Sequence, residues 1–93
     1  MIQIKNKIIP FKGFKAITIW PFMFYKEQMS VTDLNHEAIH ASQQKEMFLF
    51  AFYAKYLTYK YENNPFEREA YANESNLNYL KTRKRNAWKN YIS

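Results

Sequence analysis

Two histidines are the side chains of this sequence best placed to do chemistry together. His36 and His40 are four residues apart and are the only histidines of the chain. On a helix, this spacing puts both rings on one face. Glu37 lies between them and completes the pattern His-Glu-x-x-His, in which two histidines ligate zinc and the glutamate acts as a general base. The pattern therefore predicts a metal site with a base beside it.

A site with two histidine ligands needs a third protein ligand. The chain has no cysteine, so this ligand must be a carboxylate. Residues 64–71, Asn-Pro-Phe-Glu-Arg-Glu-Ala-Tyr, open a further predicted helix. Here the sequence resembles the gluzincin zinc peptidases, in which a glutamate on a helix after the motif completes the metal site. The resemblance covers roughly residues 14–80, and in size the chain is similar to the single-domain minigluzincins.

The resemblance implies a ligand set and the residues that support it. Its register places Glu67 on the ligand glutamate of the family, with Glu69 as the alternative in a shifted register. Tyr71 then falls where the family has an aspartate or asparagine that supports the first histidine, which is a departure from the family pattern. Gln43 lies one turn after His40, as in the His-x-x-Gln continuation of related small families, and is expected to orient that ring.

The implied activity is zinc-dependent hydrolysis of a peptide bond. Zn²⁺ would keep one position open for water, and Glu37 would pass a proton from this water to the leaving amine. A peptide or protein substrate would lie extended along an edge strand. That strand would consist of Ala16, Ile17, Thr18, Ile19 and Trp20. The C-terminal tail could fold into the cleft and make the enzyme autoinhibited.

Three other functions compete with this interpretation. A zinc ion could instead stabilise a non-catalytic protein-interaction module, because chains this small often need a metal or another staple. The basic segment 81–85 could contact nucleic acid, but no known nucleic-acid-binding signature accompanies it, so no such partner is expected. The aromatic segment 47–53 could lie in a membrane interface, although a core helix explains its composition more simply.

The elements that must position the metal site follow from local patterns. Ile2 and Ile4 alternate with Gln3 and Lys5, and the run from Phe14 to about Tyr25 is rich in Ile, Trp, Phe and Tyr. These patterns predict strands within residues 2–26, with a turn at Lys12-Gly13. Ser30 or Thr32 can cap a helix over 33–45. An aromatic-rich helix is expected over 45–61, and a third helix over 65–83.

Length and composition limit the architecture to one small domain. The chain has 93 residues, of which 47% are hydrophobic and 24% charged, which excludes wholesale disorder. We predict an α+β, zincin-like domain: a small antiparallel sheet within 1–29, a helical region with the metal site over 30–85, and a tail over 86–93. The N-terminus lacks the apolar core of a signal peptide, and the sequence has no run long enough to span a membrane. These features predict a soluble, cytoplasmic protein. Its formal net charge at pH 7 is +6.

Overall fold

A computed structural model describes residues 1–8, 15–47, 49–59 and 63–92. The order of elements confirms the α+β class, with a small sheet first and helices after it. The predicted turn at Lys12-Gly13 lies outside the described residues. No helix within the described ranges combines the length and the apolar character needed to cross a bilayer.

The sheet has three short strands, β1 (Ile2–Lys5), β2 (Ala16–Ile19) and β3 (Phe22–Tyr25). Their order is β1-β3-β2, so β2 is an edge strand, as predicted. The sheet is mixed, which corrects the prediction of a wholly antiparallel one. β2 and β3 pair antiparallel because only two residues join them, whereas β1 pairs parallel with the other side of β3.

The first helix, α1 (Val31–Glu46), carries both histidines of the motif. Ser30 is its N-cap and forms a capping box with Asp33: the Ser30 hydroxyl accepts from the Asp33 N–H at 3.0 Å, and the Asp33 carboxylate accepts from the Ser30 N–H at 3.2 Å. The helix therefore begins slightly earlier than the predicted start at residue 33, and Ser30 rather than Thr32 caps it.

Three further helices complete the described fold. They are α2 (Leu49–Thr58), α3 (Pro65–Asn73) and α4 (Tyr79–Thr82), and a 3₁₀ helix (Ala87–Tyr91) follows them. The predicted third helix, 65–83, is thus two helices separated by a turn over residues 74–78. The turn is rich in Asn and Ser, whose side chains compete with helical hydrogen bonds. The Asn35 side chain of α1 also holds this turn by donating to the carbonyl oxygens of Asn73, Glu74 and Asn76.

The start of α3 is fixed by a buried asparagine. The Asn64 side-chain oxygen accepts from the N–H groups of Phe66 and Glu67, and its amide nitrogen donates to the Tyr56 carbonyl at 3.1 Å. Pro65 follows at the first helical position, where its missing N–H costs nothing. These contacts fix where Glu67 lies relative to α2.

Aromatic side chains form the core between α2, α3 and the C-terminal 3₁₀ helix. Phe52, Phe66 and Trp88 are all buried, and the Phe66 ring lies 4.7 Å from that of Phe52 and 4.5 Å from that of Trp88, centroid to centroid. Met47 and Tyr53 pack against this cluster. The segment 47–53 is therefore at least partly a core element, as its simpler interpretation predicted, although the side chains of residues 48–50 lie outside the described part.

Loss of the capping box should weaken the helix that carries the histidines. We expect Ser30→Ala to lower the free energy of unfolding by about 1 kcal/mol, the usual cost of removing an N-cap side chain. Urea denaturation followed by circular dichroism measures this change. Ser75→Ala is the control, because Ser75 is exposed and lies in the turn after α3. Equal stability of Ser30→Ala and the wild type would contradict the prediction.

Candidate metal centre

Three potential ligands, His36 and His40 of α1 and Glu67 of α3, converge on one point. The Nε2 atoms of the two histidines are 3.1 Å apart, and the Glu67 Oε1 atom lies 3.1 Å from His36 Nε2 and 3.0 Å from His40 Nε2. The side chains of all three are largely buried, with about a tenth of each exposed. The structure thus brings together the two histidines of the motif and the glutamate that the resemblance placed with them.

These three atoms are spaced nearly as ligands of one metal ion are. Bonds of roughly 2.0–2.2 Å to imidazole nitrogen and carboxylate oxygen place neighbouring ligand atoms of a tetrahedral ion about 3.3–3.6 Å apart, so side-chain shifts of a few tenths of an ångström would bring the three atoms to that spacing. Two imidazoles and one carboxylate suit Zn²⁺ and other divalent transition metals better than Ca²⁺ or Mg²⁺. The group could therefore hold a metal ion without rearrangement of the backbone.

The outer atoms of the ligands are held by further hydrogen bonds. His36 Nδ1 lies 2.8 Å from Glu74 Oε1, and His40 Nδ1 lies 2.8 Å from Gln43 Oε1. Both partners are acceptors, since the Gln43 amide nitrogen is itself donating elsewhere. Each Nδ1 therefore carries a proton, and each Nε2 faces the shared point, as a metal ligand must. The contact predicted between Gln43 and His40 is present.

Charges and hydrogen bonds among His36, His40 and Glu67 stabilise this group when no ion is bound. Burial opposes protonation of His40, but hydrogen bonding to Glu67 and the charges of Glu67 and Glu37 outweigh it and raise its pKa to about 9. The pKa of His36 is also raised, because hydrogen bonds to Glu67 and Glu74 overcome burial and the charge of His40. Conversely, the two histidines hold the pKa of Glu67 well below its usual range despite burial. Protonated imidazoles thus offset the charge of the buried carboxylate.

The hydroxyl of Tyr56 fixes the second oxygen of Glu67. It donates to Glu67 Oε2 at 2.7 Å, whereas Oε1 faces the histidines. This contact comes from α2, so each of α1, α2 and α3 contributes to the position of the ligand atoms. A carboxylate held by one oxygen offers the other as a single, oriented ligand.

Glu69, the alternative third ligand, lies in a different cluster. Its oxygens accept hydrogen bonds from Gln43, Tyr79 and Arg83, and Arg83 also pairs with Glu46 of α1. Two positions along a helix differ by about 200° in direction, so Glu67 and Glu69 cannot face the same point. The structure therefore separates the two glutamates that the sequence left as alternatives, and only Glu67 lies with the histidines.

Both Tyr71 and Glu74 support the His36 ring, although the sequence predicted this role for Tyr71 alone. The Tyr71 ring packs edge-on against the His36 ring, with 4.6 Å between centroids, while Glu74 bonds the His36 nitrogen. Sequence analysis missed Glu74. A signal for it exists in the spacing, because Glu67 and Glu74 are seven residues apart, which is about two helical turns. Glu74 lies just after the last residue of α3, and the sequence did not predict that the helix is interrupted there.

Glu37, the predicted base, lies beside the ligands and is held by the edge strand. The Thr18 hydroxyl lies 2.7 Å from Glu37 Oε1, to which it donates, and 3.2 Å from the Glu37 carbonyl oxygen. Both residues are buried, with 8% of Glu37 exposed. Thr18 was predicted only as part of a substrate-binding strand; the structure gives its side chain the separate role of orienting Glu37.

Side chains of the protein itself form hydrogen bonds along half of the outer edge of β2. The Gln44 side chain bridges it, donating to the Thr18 carbonyl at 2.7 Å and accepting from the Trp20 N–H at 2.7 Å. The Tyr53 hydroxyl also donates to the Thr18 carbonyl, at 2.7 Å, and burial together with the nearby Glu37 charge raises the pKa of Tyr53 to about 12. The backbone of Ala16 faces the same outer edge, since the flanking Lys15 carbonyl accepts from β3.

A cleft of about 660 Å³ opens beside these groups. Its walls come from β2, α1, α2 and α3, and they include the three candidate ligands and Glu37. Tyr53, Leu57 and Tyr71 give one side of the cleft an apolar character. The volume falls within the range of small-molecule and peptide side-chain pockets.

The described part of the tail packs away from this cleft. Trp88 is buried in the aromatic core, the Tyr91 carbonyl accepts from the Arg68 guanidinium, and the Tyr91 hydroxyl accepts from Asn73 at 2.9 Å. No residue from 86 to 92 lines the cleft. The suggestion that the tail blocks the cleft therefore finds no support in the position of these residues.

The two glutamates of α3 should respond differently to substitution. We expect Glu67→Gln to abolish or strongly weaken binding of added Zn²⁺, because a neutral amide is a poor metal ligand, while the protein stays folded. Glu69→Gln should retain the metal but lower the free energy of unfolding by about 3 kcal/mol, because Arg83 loses a buried charge partner. Metal analysis of the dialysed proteins and urea denaturation separate these effects. Loss of metal from Glu69→Gln alone would contradict the assignment.

The stability contributed by Glu69 should depend on pH. Burial opposes ionisation of Glu69, but Arg83, Tyr79 and Gln43 together lower its pKa in the folded state below the reference value of 4.5. A lowered folded-state pKa gives stability that is present above pH 4.5 and is lost as the pH falls through the lower value. The difference in unfolding free energy between the wild type and Glu69→Gln should therefore be largest at neutral pH and shrink at about pH 3. A constant difference from pH 7 to pH 3 would refute this.

Comparisons with known proteins give no match: no protein-family profile, no curated protein and no solved structure is similar to the chain at a significant level. The gluzincin resemblance thus remains an expectation from the motif and the segment 64–71.

Proposed function

We propose that this protein is a zinc-dependent peptidase of gluzincin type, with His36, His40 and Glu67 as ligands and Glu37 as general base. The observation that carries the proposal is the position of Glu37. It lies beside the ligand group, lines an open cleft and is oriented by Thr18. A site that served only to stabilise the fold would have no use for a carboxylate held at the cleft without being a ligand.

The donor set also favours catalysis over a purely structural site. Structural zinc sites are closed by four protein ligands, whereas catalytic sites have three and keep a position for water. The described residues supply three ligand atoms within reach of one another, and the group borders the cleft. A bound zinc ion would lower the pKa of a coordinated water and polarise a substrate carbonyl.

The residues of the chain would carry the remaining work of hydrolysis. Glu37 takes a proton from the attacking water and delivers it to the leaving amine nitrogen. Thr18 keeps Glu37 in place by donating to one of its oxygens. Glu74 and Gln43 keep the histidine rings oriented, and Tyr56 does the same for Glu67.

Substrate would pair with β2 over a short stretch only. Gln44 and Tyr53 occupy the outer edge at Thr18 and Trp20, so the N–H and C=O of Ala16 and the N–H of Thr18 are the groups that face an incoming strand. Few backbone hydrogen bonds are then available, and side-chain contacts must contribute more to affinity. The apolar wall formed by Tyr53, Leu57 and Tyr71 favours substrates with a large apolar side chain near the scissile bond.

The competing function is a zinc-stabilised interaction module without turnover. The ion would then act as a link between α1 and α3, which supply the ligands and are the helices that the polar network already joins. The two functions differ in what they require of Glu37. Only the peptidase needs its carboxylate.

Glu37→Gln is the variant that distinguishes these functions. We expect it to bind Zn²⁺ as the wild type does and to retain the fold, because the amide oxygen can still accept from Thr18. Its rate of peptide hydrolysis should fall by a factor of at least about 100, the lower end of the contribution of a general base. A library of quenched fluorescent peptides, assayed with the zinc-loaded protein, provides the readout.

The control for this experiment is Glu27→Gln, since Glu27 is exposed and outside the helix that carries the motif. It should match the wild type in both assays. Zinc binding without hydrolysis by the wild type across the library, and no difference between the wild type and Glu37→Gln, would favour the interaction module.

A further inference from the structure

One face of the sheet is apolar across all three strands. Side chains in register point to the same face of a sheet, and alternate residues along a strand point to opposite faces. Ile2 and Ile4 of β1 pair with Phe22 and Phe24 of β3, which in turn pair with Ile19 and Ile17 of β2. The rings of Phe22 and Phe24 lie 6.2 Å apart, as side chains on one face do. We call these six residues the apolar sheet face.

The apolar sheet face points away from the helices, although Ile17 also borders the cleft. Thr18 and Met23 lie on the other face, where both are buried and Thr18 contacts Glu37 of α1. By contrast, 54% of Ile2 and 37% of Phe22 are exposed, and the remaining four residues of the face are only half-buried. Trp20, which is 41% exposed, stands at the turn beside Phe22. Ile2, Phe22 and Trp20 thus form an exposed group of large apolar side chains at the Trp20 end of the face, and such a group marks an interaction surface.

Lysines lie at both ends of the sheet. Hydrogen bonds from Asn6 to Tyr25 and from Lys26 to Lys15 show that the end of β1, the start of β2 and the end of β3 meet at one end of the sheet. The lysines of that end are Lys5, Lys7, Lys15 and Lys26, of which Lys5 lies on the opposite face of the sheet, with Thr18 and Met23. At the other end, the Lys45 ammonium lies 5.6 Å from the centre of the Trp20 ring. The first acidic residue of the chain is Glu27, so the whole strand region is positively charged, apart from the pairing of Lys15 with Asp33.

We propose that the apolar sheet face docks on the surface of an anionic lipid bilayer. Isoleucine, phenylalanine and tryptophan side chains enter the boundary between headgroups and acyl chains, and lysines at the ends of the sheet contact the anionic headgroups. The proposal rests on the sheet and its charges, and it is independent of the metal centre and of its chemistry. It also differs from a membrane role for residues 47–53, since Phe52 is buried in the core.

Charge and side-chain type favour a bilayer over two other occupants. A second copy of the chain would bring two positively charged strand regions together, and like charges across an interface are unfavourable. Single-stranded nucleic acid would satisfy the lysines, but it needs aromatic rings for stacking, and four of the six residues of the face are isoleucines. A bilayer offers both an apolar interior for aliphatic side chains and a negative surface.

Co-sedimentation of the full chain with lipid vesicles tests the proposal. The probes are vesicles of phosphatidylcholine alone and vesicles that also contain phosphatidylserine, at low salt and at about 0.5 M salt. We expect binding to the phosphatidylserine vesicles at low salt, weaker by at least about tenfold on neutral vesicles or at high salt. The double variant Ile2→Thr, Phe22→Thr should lower the affinity for anionic vesicles by at least about tenfold. Threonine keeps the preference for a strand while removing apolar surface.

The matched control is Val31→Thr, Leu77→Thr, which removes two exposed apolar side chains elsewhere on the molecule. It should bind vesicles as the wild type does, and circular dichroism should show both double variants folded. Four results would each overturn the proposal. The first two are an equal loss of binding in the control variant and a failure of the wild type to bind anionic vesicles. The third is a lipid-free dimer that the double variant Ile2→Thr, Phe22→Thr dissociates. The fourth is binding of single-stranded DNA that this double variant abolishes while its vesicle binding stays unchanged.

Discussion

The structure depends on how polar and charged side chains are accommodated between α1 and α3. His36, His40, Glu67 and Glu69 all lie in this contact, and Glu69 has no exposed surface. An ionised group buried without a partner costs several kcal/mol, so each of them must be matched within the contact. The matching sets the distance and rotation between the two helices more strictly than apolar packing would, because hydrogen bonds tolerate little change in length or angle.

Gln43 connects the two halves of this contact. Its oxygen faces His40, and its amide nitrogen donates to the Phe66 carbonyl and to Glu69 Oε1. A single side chain thus joins the candidate metal centre to the cluster around Arg83. Because Arg83 also pairs with Glu46 at the end of α1, the short helix α4 is tied to the same framework. The candidate ligands are therefore oriented by contacts that extend well beyond the ligands themselves.

The sequence predicted the parts of the site that depend on local spacing. The four-residue interval between His36 and His40 places both rings on one face of a helix, and Ser30 indicated where that helix begins. The choice between Glu67 and Glu69 could not be derived from the residues alone, because it depends on which face of α3 meets α1. Glu74 and the orienting role of the Thr18 side chain were missed for a similar reason. Their roles arise from contacts with residues that are far away in the sequence.

The errors in the predicted fold also have physical causes. Alternation of side chains shows that a strand exists but says nothing about the direction of its neighbour, so the parallel pairing of β1 with β3 was not foreseen. The helix predicted over 65–83 ends early because a side chain from α1, Asn35, takes up carbonyl oxygens of the turn that follows α3. Tertiary hydrogen bonds of this kind leave no periodic signal in the sequence.

The side chains that cover the outer edge of β2 have a consequence for the behaviour of the protein at high concentration. Edge strands with open N–H and C=O groups are templates on which other chains can add strands, and this addition leads to aggregates. Gln44 and Tyr53 occupy the edge at Thr18 and Trp20, so only a stretch too short to support a stable intermolecular sheet remains at Ala16. The same arrangement that would limit how a peptide can pair with β2 thus also limits the addition of a second chain at this edge of the sheet.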